Sequence, residues 1–256
     1  MLKTSAYQQV LAARAATKVS IQSLINGLAL DFFELHGDRQ AGDDAAVVTG
    51  LATLKGLPVM VIGIQKGSTP TDNRDRHFGC ATPVGYRKAL RAMRLAERLH
   101  RPIVALINTP GAYPGVDAEY QGQGRAIADC LAAGLTLKTP FVSVIVGEGG
   151  SGGALALACG DRVWMFEQAT YSVLSPEGYA TILWKNAQRA PEAAAKMRLT
   201  PAELLADGVV DAVVPEVKSR QACQALADRL VTTFKDLQRL PLKTLVARRQ
   251  ARYQQF

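Results

Sequence analysis

Three stretches of the chain share one hydrophobic pattern. Pro58-Val-Met-Val-Ile-Gly-Ile64, Pro102-Ile-Val-Ala-Leu-Ile107 and Pro140-Phe-Val-Ser-Val-Ile-Val146 each place a proline before a run of apolar residues. Each run ends in a segment containing glycine: Gln65-Lys-Gly67, Thr109-Pro-Gly111 and Gly147-Glu-Gly-Gly-Ser-Gly-Gly153. Apolar runs without alternation fit strands buried on both faces. Proline is tolerated at the first position of a strand, where its missing N–H costs least. A helix-period pattern follows each glycine segment, from Glu119 in the second unit and over Ala154–Ala158 in the third. Such repetition predicts parallel strands joined by right-handed crossovers. The fold class is therefore α/β, with each glycine loop at the carboxyl end of its strand, where α/β folds bind ligands.

The flanks extend this reading. Val47–Leu54 and Pro58–Ile64 surround Lys55-Gly56-Leu57 and predict a hairpin. The first forty residues read as helix. Ser20 is a candidate N-cap, and Ile21, Leu24, Ile25, Leu28, Phe32 and Leu35 recur on one helical face. A strand is expected at Arg162–Phe166, a helix over Ser175–Lys185 and a late strand at Val209–Val214. Residues 217–239 repeat Cys223, Leu226, Leu230, Phe234 and Leu237 with helical period, and 242–253 follow Pro241 as a terminal helix. No linker composition intervenes. The expectation is one domain over 1–256, with a core of about 40–216 and helical extensions over 1–36 and 217–256.

Composition narrows the function classes. A chain of 256 residues that is 48% hydrophobic can bury a core without staples and is not a disordered one. No apolar run approaches the ~20 residues of a membrane helix. Met1-Leu-Lys-Thr-Ser-Ala-Tyr7 lacks the apolar centre of a signal peptide, so the expected location is the cytoplasm. Cys80, Cys130, Cys159 and Cys223 show no C-x-x-C spacing, which excludes a zinc ribbon and leaves reduced thiols acting as small apolar side chains. The net charge of +8 sits on two segments: +7 over 217–256 and +5 over 84–101, above a remainder of −4. Arg87, Arg91, Arg94, Arg98 and Arg101 fall on one helix face opposite Ala89, Met93, Ala96 and Leu99. This face is either solvated or turned toward an acidic or phosphate-bearing partner. Few aromatics interleave it, which argues against a nucleic-acid footprint.

Gly147–Gly153 admits several chemistries. Glycine-rich turns before a helix expose backbone N–H groups that hold negative charge. A P-loop would need a lysine here, and there is none. Gly147, Gly149 and Gly152 fit a dinucleotide fingerprint, with Glu167 twenty residues on. Gly149-Gly-Ser-Gly-Gly153 fits a hydrolase nucleophile turn at Ser151, but every histidine (His36, His77, His100) precedes it, leaving Lys185 as the alternative base. Otherwise Ser151 is a helix cap. An oxyanion hole of backbone N–H groups needs glycines and no nucleophile. A tight structural turn is the remaining reading. Glu148 and Glu177 are candidate acid/base groups, with a role capping nearby backbone preferred.

Longer motifs add a resemblance. Leu106-Ile-Asn-Thr-Pro-Gly-Ala-Tyr-Pro-Gly115, Gly147 to Leu155, and Tyr171-Ser-Val-Leu-Ser-Pro-Glu-Gly178 with Ile182-Leu-Trp-Lys185 resemble the α-subunit family of bacterial acetyl-CoA carboxylase carboxyltransferases. Phe33-Glu-Leu-His-Gly-Asp-Arg39, Gln65-Lys-Gly67 and Gly85-Tyr-Arg-Lys-Ala-Leu90 match as well, so the likeness spans roughly residues 20 to 216. It implies a crotonase-like superhelix of repeated ββα units. It also implies an α2β2 heterotetramer in which a β subunit carries zinc and binds most of acetyl-CoA, while this chain holds no metal. In this reading carboxybiotin arrives on the biotin carboxyl carrier protein, and malonyl-CoA leaves for fatty acid synthesis. Gly149 and Gly150 N–H groups would hold the ureido oxygen. Gly111, Ala112 and Tyr113, with Gly152 and Gly153, would wall the biotin pocket. The chain departs from the family at His77-Phe-Gly-Cys-Ala-Thr-Pro-Val-Gly85, where relatives carry Met near Cys80 and Glu near Val84. A scaffold subunit without turnover is the alternative from a different class.

Overall fold

The computed structural model describes residues 5–256; Met1–Thr4, on which the reading of the chain's start depends, lie outside the described residues. Two helices come first, α1 (Ala6–Arg14) and α2 (Ile21–Leu28). Ser5 and Gln8 form a capping box on α1, and Ser20 caps α2 through Ser23 N–H. A short strand β1 (Phe33–Glu34) leads to the hairpin β2 (Val47–Leu54) and β3 (Leu57–Ile64). Its turn is Lys55-Gly56, with φ of 45° and 86°, the two left-handed residues that match the twist of a hairpin.

The remaining elements alternate. They are α3 (Pro70–Asp75), α4 (Pro83–Arg98), β4 (Ile103–Thr109), α5 (Val116–Tyr120), α6 (Gln123–Thr136), β5 (Phe141–Gly150) and α7 (Ser151–Leu155). Then come β6 (Arg162–Phe166), β7 (Thr170–Ser172), α8 (Pro176–Trp184), α9 (Ala190–Lys196), α10 (Pro201–Ala206) and β8 (Ala212–Val214). Helices α11 (Arg220–Gln238) and α12 (Leu242–Tyr253) close the chain.

One sheet organises these elements, in the order β1-β2-β3-β4-β5-β6-β8. The first two pairings are antiparallel and the rest parallel. At its carboxyl end β5 leaves β6 and pairs with β7, so the sheet branches there. Successive strand residues face opposite sides. Val47 meets α4 at Gly85, whereas Val48 and Gly63 meet Ile21 of α2, so helices cover both faces. All of β4 and nearly all of β5 are consequently buried, as their unbroken apolar runs require. A single apolar cluster runs from Ile21 to Leu245 and includes Cys130, Cys159 and Cys223. All four cysteines are free.

Two expectations of local structure need correction. The helix predicted to reach Leu35 stops at Leu28, because Ala29 turns extended and Asp31 accepts the Thr53 N–H at 2.8 Å. Phe32 and Leu35 still pack on the core, now beside an edge strand, so their apolar spacing carries no helical information. The Gly147–Gly153 loop is a strand end and a helix start, because residues 148–150 pair with β7 and Thr109 pairs with Gly149.

Part of the basic excess is spent inside the fold, while seven of the nine basic residues over 217–256, Lys218, Arg220, Arg229, Lys235, Arg239, Lys243 and Arg248, stay exposed. Arg87 donates to Asp38 at 2.8 Å, buried Lys88 donates to Val47 O and Asp43 at 2.7 Å, and Arg91 donates to His36 O at 3.0 Å. Arg94 and Arg98 remain exposed, and so does Leu99, which the stripe placed inside. In α12, Arg249 is 1% exposed and holds Asp161. Arg252 pairs with Asp211.

Candidate active site

Three strands end side by side, and their carboxyl termini supply the polar residues. From β4, Asn108 Oδ1 accepts the Glu148 N–H at 3.1 Å. A Cβ at Gly147 would lie 2.5 Å from that oxygen, so only glycine fits beside it. From the end of β3, Lys66 reaches Glu148, and Arg14 of α1 donates to the other Glu148 oxygen at 2.7 Å. Arg14 also binds both oxygens of Glu177, at 2.8 and 3.1 Å. The Arg14 guanidinium holds the Glu177 carboxyl below its ordinary range. Both glutamates are thus ion-paired anchors rather than free acid/base groups, and their partner is a guanidinium instead of backbone.

The turn after β4 is held open by Thr109. Gly111 N–H donates to Thr109 Oγ1 at 3.1 Å, and that hydroxyl donates to Gly111 O at 2.8 Å. Gly111 has φ 149°, a glycine conformation. Tyr113 N–H donates to Ala81 O, and Gln123 Nε2 donates to Ala81 O and Tyr113 O. Between them, Ala112 N–H has no acceptor among the described residues.

Across from this turn lies α7. Gly150 is its N-cap, and no side chain caps it. The N–H groups of Ser151, Gly152 and Gly153 therefore have no partner within the helix. A Cβ at Gly153 would sit 2.5 Å from Ala112 N and 2.8 Å from Tyr86 Oη, and one at Gly150 would sit 2.0 Å from Pro110 O. Glycine alone permits this approach. The structure thus brings Gly111, Ala112, Gly150 and Gly153 together, with Gly152 beside them at the start of α7. Gly149 lies in the strand, paired with Tyr171 of β7. Tyr113 lies at the rim, its ring 4.5 Å from His77.

Ser151 has φ 55° and stands exposed at the strand-to-helix turn. Its hydroxyl caps nothing. His36 pairs with Asp43, His77 stacks on Tyr113, and Lys185 closes α8. No base engages Ser151 among the described residues, so hydrolase chemistry has no geometric support. The dinucleotide reading loses its turn as well, since Gly147 and Gly149 lie within β5.

An apolar cleft of about 670 Å³ opens beside Ser151 and Gly152, lined by Leu155, Tyr171, Val173 and Met197. A larger cleft of about 1180 Å³ lies elsewhere, between α2 and α11. There Lys18 is already bound to both oxygens of Glu216, and burial lowers its pKa. The smaller cleft adjoins Ser151 and Gly152 at the start of α7, and is the candidate site. Among the described residues no three His, Cys, Asp or Glu side chains gather as metal ligands. No helix among them is long and apolar enough to cross a membrane. Arg14, Lys66, His77 and Tyr86 carried no functional assignment from sequence; for Lys66 the signal was its place in the loop after the first apolar run.

Known proteins fit this arrangement. A family described as acetyl co-enzyme A carboxylase carboxyltransferase-like matches residues 2–256. The acetyl-coenzyme A carboxylase carboxyl transferase subunit alpha of Streptococcus sanguinis (strain SK36) is 48% identical over 246 residues, covering 95% of this chain and 96% of its own. The same subunit of Streptococcus pyogenes serotype M5 (strain Manfredo) is 52% identical over 228 residues, covering 88% and 89%. Among solved structures, a transcarboxylase 12S core with methylmalonyl-coenzyme A bound has a TM-score of 0.71 at 23% identity, covering 91% of this chain and 45% of that one. A Pseudomonas malonate decarboxylase hetero-tetramer in complex with coenzyme A reaches 0.72 at 19% identity, covering 94% and 92%. These two share the fold. With the α/β fold it shares with these two structures, this chain belongs to the acetyl-CoA carboxylase carboxyltransferase α-subunit family.

Proposed function

We propose that this chain, assembled with a β subunit as an α2β2 heterotetramer, moves a carboxyl group from carboxybiotin on the biotin carboxyl carrier protein to acetyl-CoA. Malonyl-CoA is the product, committed to fatty acid synthesis, and these substrates put the work in the cytoplasm. Zinc belongs to the β subunit in this reading. Carboxybiotin supplies the carboxyl group.

The donor set fits that group. An oxygen that becomes negative needs preorganised N–H groups in a water-poor cleft and no side-chain nucleophile. Ala112 N–H has no acceptor among the described residues, and its nitrogen packs against Gly153, where a Cβ would come within 2.5 Å of it. Together with the N–H groups at the start of α7, it is the donor set in this reading. Gly149 and Gly150, assigned that role from sequence, pair with β7, and Gly150 also packs against Pro110 and Gly111. The turn at Gly111, Ala112 and Tyr113 orients the entering ring. Lys66 and Arg14 fix Glu148, and with it the strand end that carries the glycines.

The single observation that carries this reading is the unpartnered Ala112 N–H, on a turn packed so closely on α7 that only glycine fits at 153. The test is reconstitution with a β subunit and biotinylated carrier. Malonyl-CoA formation that requires both chains supports the reading. Tight assembly with no turnover would make the chain a scaffold.

A further inference from the structure

Tyr86 is fully buried in α4, and its hydroxyl makes no hydrogen bond. A buried hydroxyl without a partner is a liability, and phenylalanine would fill the same space without it. A core that needed only bulk at this position would not hold the oxygen. Its location suggests the reason. The point 2.8 Å from Tyr86 Oη that a Gly153 methyl would occupy is also 2.5 Å from Ala112 N. The hydroxyl and the free peptide donor therefore both pack against Gly153, where α4, the turn after β4 and α7 meet. Gln123 backs the same turn, buried, with its Oε1 also unpartnered while its amide holds Ala81 O and Tyr113 O.

We propose that Tyr86 is a positioning residue of the carboxyl-transfer site, its free O–H turning its dipole toward negative charge that gathers at Ala112 N–H. The proposal rests on the carboxyltransferase reading. Burial pushes the phenol far above its ordinary value, so it keeps its proton and serves as a dipole rather than a base. An O–H with no fixed acceptor reorients at little cost, and in a dry interior a dipole acts on a charge one layer of atoms away.

The experiment is Tyr86→Phe, which removes one oxygen, in the heterotetramer reconstituted with β subunit and biotinylated carrier. Expected are a Tm equal to or above wild type, a kcat lower by about tenfold, and an unchanged KM for acetyl-CoA. A wild-type kcat overturns the proposal. So does a lowered Tm, which would mean the hydroxyl is satisfied and structural. A wild-type complex that makes no malonyl-CoA would instead remove the carboxyltransferase reading itself, and the two failures are told apart by that control.

Discussion

The two ends of β5 are built on opposite principles. At its amino end, Phe141 N–H donates to Asp161, and Arg249 spends every guanidinium proton: on both Asp161 oxygens and on Gly134 O, Leu137 O and Thr139 O, at 2.7–2.9 Å. At its carboxyl end, Ala112 N–H and Tyr86 Oη are unspent and glycines replace side chains. One strand thus joins a polar cluster that is complete to one that is held open. A complete cluster fixes a helix to the sheet. An incomplete one, in the function proposed here, keeps donors ready for an oxygen that arrives with the substrate.

Breaking the open end should have the largest effect. Gly153→Ala puts a methyl against Ala112 N and Tyr86 Oη. Turnover of the reconstituted complex should fall at least about a hundredfold, the cost of losing one oxyanion donor (~3 kcal/mol). Size-exclusion chromatography should still show assembly.

Breaking the closed end should act on stability. Arg249→Met strands the buried Asp161 carboxylate and three carbonyls, at a cost of about 3–5 kcal/mol. In a chain of this size that lowers Tm by roughly 10 °C. Thermal melts would read it, while turnover per assembled complex at low temperature should hold.

A third, smaller effect sharpens the contrast through pH. Asp38 is buried, which alone would raise its carboxyl, but the Ala41, Gln40 and Gly42 N–H groups and Arg87 outweigh burial and hold it well below its ordinary 3.8. A carboxylate lowered in the folded state stabilises above its unfolded value, and that stability is lost as pH falls through the native value. Arg87→Met should therefore cost about 1–2 kcal/mol near pH 7. The gap to wild type should narrow as pH drops below ~4. Denaturant melts across that range would show it.

Much of the architecture is legible from local pattern. The apolar runs after Pro58, Pro102 and Pro140 mark β3, β4 and β5, and the glycines after them fall at the strand ends. Gly111, Ala112, Gly152 and Gly153 were reached only through the family resemblance of the loops that carry them. What sequence could not reach depends on distant partners. Arg14 lies 134 positions from Glu148, and nothing near it signals a carboxylate. Arg249 reads as one more surface charge until α12 docks. Tyr86 reads as core bulk, since an unspent hydroxyl is defined only by what surrounds it. The helix end at Leu28 was missed because Phe32 and Leu35 fit both a helical face and an edge strand.

The most direct test is a crystal structure of the heterotetramer with biotinylated carrier bound. The account predicts a ligand oxygen within about 2.7–3.1 Å of Ala112 N, beside Gly152 and Gly153. A biotin held elsewhere, with Ala112 N–H left facing water, would contradict it.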